Sequence, residues 1–209
     1  AIPVNYLTAV IALYRMANVK AGFSPWYNVY STNPSTARVA MGTSYAQNDA
    51  IWWMAGHGAA GLIQTYNSTK GTTNIWVSNT SANCALTKST CLTNYTSTQM
   101  HRIRLAVFQG CDAGDPVSSG DRLQKRMYTN LGADSAIGFT ATIYFSTYTS
   151  DYFVTQFAYY EMVKHYNVSD GAWSAANDVF SLNGGNFYGY DSLHIYGGTT
   201  KLYPAAFGS

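Results

Sequence analysis

Two short stretches decide how this chain folds: Ile51-Trp52-Trp53-Met54-Ala55-Gly56-His57-Gly58 and Arg104-Leu105-Ala106-Val107-Phe108-Gln109-Gly110-Cys111-Asp112-Ala113-Gly114. Each is an apolar run that ends in a glycine-flanked reactive residue, which predicts a buried strand running into a turn. In an open α/β sheet, chemistry gathers just beyond the carboxyl ends of the strands. Two such strands side by side would bring His57 and Cys111 to one edge, where an imidazole beside a thiol supports cysteine nucleophile chemistry.

The rest of the chain alternates between strand and helix patterns. Helices are predicted over 5–20, 119–131, 151–166 and 170–181, and strands over 50–55, 103–109, 135–140 and 192–197, with a hairpin through 62–64 and 75–77. This alternation predicts an α/β fold with a mostly parallel sheet and helices on both faces. We expect one domain over 1–209, in which 59–98 is a variable insertion.

The composition narrows the class of protein. Of the 209 residues, 47% are hydrophobic, only 11% are charged, and the net charge is +2. No basic stripe is visible, so nucleic acid is not an expected partner. No apolar run is long enough to predict a membrane span. The 18 tyrosines, with abundant Thr, Ser and Asn, are more typical of secreted or cell-surface proteins.

Cysteines and glycosylation triplets also favour export. Cys84 and Cys91 lie close together in a polar segment, which predicts a local disulfide and leaves Cys111 unpaired. Four Asn-x-Ser/Thr triplets are candidate glycosylation sites, although such triplets also arise by chance in an Asn- and Thr-rich chain. They are at Asn67, Asn79, Asn94 and Asn167.

The order of the two motifs resembles the caspase-like cysteine peptidases, which include caspases, legumain, clostripain and the gingipains. Caspases carry a Gln-x-Cys sequence with the histidine about 50 residues upstream, and Gln109-Gly110-Cys111 follows His57 at a comparable distance. Segments 131–139 and 193–198 are similar to the helix-to-strand step and the closing strand of that group. The resemblance covers roughly 45–203 and implies a three-layer caspase-like sandwich. Such domains open with a core strand before their first helix, a strand not evident here.

The resemblance also implies roles for particular residues. Cys111 would attack a peptide carbonyl, His57 would protonate the leaving amine, and the backbone N–H groups of Gly58 and Cys111 would form the oxyanion hole. Gln109, Thr140 and Thr142 would line the substrate pocket. Because these side chains are uncharged, we expect a preference for a neutral or small residue. No cofactor and no metal are expected.

Each of these residues also has an ordinary structural explanation. A histidine in Gly-His-Gly is commonly a turn residue bonded to backbone, and Cys111 could be a small buried hydrophobe. The combination of Cys84, Cys91 and His101 comes closest to a zinc set, but a disulfide explains that cysteine pair better. Of the other histidines, His101 is expected at the surface, His165 at a helix end and His194 in the last strand.

Three functions are therefore compared. The first is a secreted cysteine endopeptidase that acts on peptides or proteins through Cys111 and His57. The second is an inactive caspase-like surface or filament protein that assembles through a donated strand. The third, a flavodoxin-like binding module, would need a glycine-rich phosphate loop, which Gly56-His57-Gly58-Ala59-Ala60-Gly61 imitates poorly. The sequence favours the first.

Overall fold

A computed structural model describes residues 50–67, 71–76 and 89–202. The helix predicted over 5–20 lies outside these ranges. The chain divides into two compact units. One comprises Val29–Ala141 and His194–Tyr196, and the other comprises Ala1–Asn28, Thr142–Leu193 and Gly197–Ser209.

The first sheet contains the two motif strands. Its order is β1-β6-β7-β8, where β1 is Ile51–Ala55, β6 is Leu105–Gln109, β7 is Ser135–Phe139 and β8 is Leu193–Tyr196. Strand β6 pairs in parallel with β1 on one side and with β7 on the other. The predicted mixed α/β class and mostly parallel sheet are therefore confirmed.

A second four-stranded sheet follows β1 directly. Its order is β2-β3-β4-β5, with β2 at His57–Ala59, β3 at Leu62–Asn67, β4 at Gly71–Trp76 and β5 at Ser89–Cys91. Strands β3 and β4 pair antiparallel over their whole length, so the predicted hairpin is present and is longer than expected. The segment 59–98 therefore contains ordered sheet.

One apolar core joins the first sheet to the helix that follows β6. Trp52 packs edge-on against Phe108 with ring centroids 5.6 Å apart, and both belong to a buried cluster with side chains of helix α2, Leu123–Leu131. Every residue of β6 and β7 is buried. Strands buried on both faces are the usual state of a parallel sheet, which explains their continuous apolar sequence.

Helix α2 begins later than the predicted start at Ser119. The segment before it forms a turn in which Gly120 N donates to Val117 O at 2.8 Å, and Gly120 has a φ of +78°. A residue in that conformation cannot continue a right-handed helix. A shorter helix, α1 at Ser97–Met100, lies earlier in the same unit.

The other unit contains a pair of helices, α3 at Ser150–Met162 and α4 at Val168–Leu182, which pack against each other. Helix α3 ends before the predicted position because His165 takes the left-handed conformation, with a φ of +61°. Helix α4 begins where Asn167 Oδ1 accepts a hydrogen bond from Asp170 N at 2.9 Å. Such a cap stabilises a helix by about 1 kcal/mol.

Candidate active site

The ends of β1 and β6 place the loops that contain the two motif residues side by side. Ala55 pairs with Gln109, and Gly56 N donates to Gln109 O at 3.1 Å. His57 and Cys111 each come two residues after this last pair. The two loops therefore leave the same edge of the sheet from equivalent positions, as the sequence predicts.

Beyond the strands, the two loops run backbone against backbone. A Cβ atom added to Gly58 would overlap the carbonyl oxygen of Cys111, and one added to Gly110 would lie 2.9 Å from Gly56 O. Only glycine fits such an approach without displacing the backbone. The glycines that flank His57 and Cys111 therefore allow the two loops to meet.

His57 lies in a strand and not in a turn, which was the ordinary structural alternative for a Gly-His-Gly sequence. It is the first residue of β2 and pairs with Gln64 of β3, so the chain enters a second sheet after a bend at Gly56. The hairpin closes at Gly61, which has a φ of +67°. His57 is exposed, which leaves its imidazole accessible to a substrate.

Cys111 lies in a loop of two successive turns. Ala113 N donates to Gly110 O at 3.2 Å, and Asp115 N donates to Asp112 O at 2.9 Å. Asp112 has a φ of +54°, a conformation that costs a non-glycine residue energy. Cys111 is half-buried and is not part of a disulfide.

Two hydrogen bonds attach the Cys111 loop to the last residue of β7 and to the chain just after it. Gly114 N donates to Phe139 O at 2.8 Å, and Asp112 N donates to Ala141 O at 3.1 Å. A third bond, from Gly61 N to Asp115 O at 3.1 Å, attaches the loop to the β2–β3 hairpin. The position of Cys111 is thus fixed from both sides.

The side chains of two further residues hold the same loop. Arg122 Nη1 and Gln124 Nε2 both donate to Gly114 O, at 2.8 and 2.9 Å. Neither residue is predictable from the sequence, since an arginine or a glutamine near the start of a helix has no pattern that distinguishes it from a surface residue. The only signal for Gln124 in the sequence is its position next to Leu123, an apolar residue of the helix predicted over 119–131.

The three predicted pocket residues occupy different environments. Gln109 is fully buried, and its Oε1 accepts a hydrogen bond from Trp53 Nε1 at 2.8 Å. Thr140 is half-buried immediately after β7. Thr142 is exposed and belongs to the other compact unit. Their roles in substrate binding stay predictions.

Pairing of Cys84 with Cys91 also stays a prediction. Cys91 is fully buried at the end of β5, whereas Cys84 lies outside the described residues. Among the candidate glycosylation sites, Asn94 is exposed, Asn67 ends β3 and Asn79 is not described. The amide of Asn167 is engaged by Asp170 in the α4 cap, which gives that residue a structural role.

The other histidines have the expected locations. His101 is exposed, and its Nδ1 lies 2.7 Å from Thr98 O. His165 is exposed beyond the end of α3. His194 lies in β8, where burial and then the charge of Arg122 lower its pKa. Among the described residues, no group of three His, Cys, Asp or Glu side chains could hold a metal ion.

No protein-family model matches this chain, and it has no significant match among curated proteins or solved structures. Within the described ranges, no helix has the length and apolar character needed to cross a membrane.

Proposed function

We propose that this chain is a cysteine endopeptidase in which Cys111 is the nucleophile and His57 is the general acid. One observation carries the proposal: β1 and β6 are parallel neighbours in register, and the loops that follow them touch at Gly58 and Cys111. That contact brings an exposed imidazole and a half-buried thiol to the same edge of the sheet.

The reaction follows from these two groups. The Cys111 thiolate attacks the peptide carbonyl carbon and forms a C–S bond, and the oxyanion accepts hydrogen bonds from the N–H groups of Gly58 and Cys111. His57 donates a proton to the leaving amine as the C–N bond breaks. Water then hydrolyses the thioester, which releases the acid and restores the thiol.

The three-layer caspase-like sandwich is part of the same proposal. Support comes from the order of the first sheet, in which the histidine strand, the cysteine strand and β7 are consecutive parallel neighbours. The complete burial of β6 and β7 also agrees with a sheet that is covered on both faces.

The expected substrate has a neutral residue before the cleaved bond. Gln109 occupies a position that holds an acid in legumain- and clostripain-like enzymes, and its carboxamide is buried against Trp53. Gln109 therefore offers no carboxylate to attract a basic side chain. Secretion of the protein remains a prediction from composition.

The alkylation rate of Cys111 by iodoacetamide at neutral pH, read by mass spectrometry without prior reduction, tests the proposed dyad. An unassisted thiol is only a few per cent thiolate at pH 7, so we expect His57→Ala to slow labelling about tenfold. His101→Ala is the matched control, since it removes an exposed histidine from the same unit. Labelling that is equally slow in all three proteins would contradict the dyad.

That contrary result would favour the second function, an inactive surface protein. Exposed aromatic side chains are the observation that fits it: Tyr144 and Tyr148 expose 59% and 66% of their surface. Exposed aromatic residues are enriched where proteins associate.

A further inference from the structure

The loop that contains Cys111 is held at one carbonyl group by two side chains from the start of α2. Gly114 O accepts from Arg122 Nη1 at 2.8 Å and from Gln124 Nε2 at 2.9 Å. Gln124 is fully buried, whereas Arg122 is half-buried. Gly114 is itself buried, and it lies three residues after Cys111.

The second polar atom of Gln124 is left without a hydrogen bond. Its Oε1 is buried with no partner and lies against the backbone of Gly138, where an added Cβ would come within 2.8 Å. A buried polar atom without a partner destabilises a fold. A leucine of similar size would avoid that cost, so the bond to Gly114 is the interaction that glutamine adds here.

The Gly114 carbonyl is well placed to control where the thiol lies. The turns from Gly110 to Asp115 are tied at Gly114 N to Phe139 O and at Asp112 N to Ala141 O. These two backbone bonds go to the last residue of β7 and to the chain just after it, and a third, from Gly61 N to Asp115 O, ties the loop to the β2–β3 hairpin. The side chains of Arg122 and Gln124 add a restraint from α2 at the Gly114 carbonyl, and without it the turns that carry Cys111 are held by backbone bonds alone.

We propose that Gln124, assisted by Arg122, is a positioning residue that holds Cys111 in register with His57. This inference rests on the proposed peptidase function, because it needs an active dyad to position. Gln124 acts only through the loop and touches no reacting atom. A displacement of about 1 Å can reduce a rate 10²-fold, so loss of one of two anchoring bonds should have a smaller effect.

A double-mutant cycle on the iodoacetamide labelling rate of Cys111 tests the proposal. The proteins are the wild type, Gln124→Leu, His57→Ala and the double variant. When His57 is present, we expect Gln124→Leu to slow labelling about threefold, less than the loss of His57 itself, because one of the two anchoring bonds remains. In the His57→Ala background the same change should leave the rate unaltered, because there is no dyad left to misalign.

Met127→Ala is the matched control for stability. Met127 is a fully buried residue of α2 in the apolar cluster, so its truncation weakens the core without removing a donor to Gly114. It should lower the unfolding midpoint but keep the labelling rate near that of the wild type. Arg122→Met removes the other donor from a half-buried site, and it carries the test if Gln124→Leu does not fold.

The outcomes separate the inference from the proposed function. If His57→Ala alone has no effect, the dyad is refuted and the inference fails with it. If His57→Ala slows labelling but Gln124→Leu and Arg122→Met do not, only the inference is overturned. Equal slowing by Gln124→Leu with and without His57, or equal slowing by Met127→Ala, would likewise overturn it, since a purely structural role predicts such results.

Discussion

At the scale of single residues, the close approach of the two loops at the candidate site depends on one glycine and not on either reactive side chain. His57 and Cys111 belong to loops that could diverge after leaving β1 and β6. Gly58 prevents this because its missing side chain lets its backbone lie directly on the Cys111 carbonyl. The chemistry of the dyad thus requires a residue that has no side chain at this position.

Replacement of Gly58 by alanine should therefore separate the two loops. The new methyl group would overlap backbone atoms, which cannot rotate away as a side chain could, so we expect a loss of about 1–3 kcal/mol in the free energy of unfolding. Labelling of Cys111 should also lose its dependence on His57. Urea unfolding and the iodoacetamide rate measure the two effects.

Gly120→Ala serves as the comparison for that variant. Nothing lies within 4 Å of the added Cβ, and the φ of +78° leaves only conformational strain, worth about 1–2 kcal/mol. It should leave the dependence of labelling on His57 intact. A Gly58→Ala protein that also keeps this dependence would contradict the account of the loop contact.

At the scale of elements, the apolar runs around Ile51 and Leu105 made the parallel strands predictable from sequence. The approach of the two loops was also implied, since each reactive residue has a glycine beside it. The second sheet was not predictable beyond its β3–β4 hairpin, because polar strands that cross a segment rich in Thr, Ser and Asn have no clear period. The hydrogen bonds from Arg122 and Gln124 to Gly114 were not predictable either, because they depend on tertiary contacts alone.

The contact between α3 and α4 contains a buried acid. Glu161 is fully buried, neither carboxylate oxygen has a hydrogen-bond partner, and its carboxyl group contacts the position of Gly171. Burial, with a smaller contribution from Asp170, raises its pKa to about 9, and Lys201 opposes that rise. Glu161 is therefore protonated at neutral pH.

Protonation of Glu161 makes the stability of the fold depend on pH. The unfolded chain releases this proton near 4.5, whereas the folded chain keeps it until about 9. The contribution of Glu161 to the free energy of unfolding is thus fully present below pH 4.5 and is lost as the pH rises toward 9. At the steepest, the loss is about 1.4 kcal/mol per pH unit. Glu161→Gln should remove this decline.

Urea unfolding at pH 5 and pH 8 measures that decline. The free energy of unfolding of the wild type should be lower at pH 8 than at pH 5 because of Glu161. That of the Glu161→Gln variant should differ little between the two pH values. Asp191→Asn is the control, because Asp191 is an exposed acid of the same unit and its removal should leave the decline unchanged. An equal decline in Glu161→Gln and wild type would exclude Glu161 as the cause.

At the scale of the whole molecule, the proposed activity combines features that no single element contains. The first sheet supplies the aligned strand ends, the second sheet begins with His57, and α2 holds the Cys111 loop. Peptide hydrolysis would need all of them together. A protein that serves only as a surface building block would need none of these alignments.

The most direct measurement is cleavage of an unbiased peptide library by the full chain, with new termini identified by mass spectrometry. We expect the wild type to cut internal bonds, preferentially after neutral side chains, and Cys111→Ala to cut none. His57→Ala should lose about 10²–10⁴-fold in rate, the usual contribution of a positioned acid–base group. No cleavage by the wild type, or cleavage that persists in Cys111→Ala, would contradict a peptidase that uses Cys111.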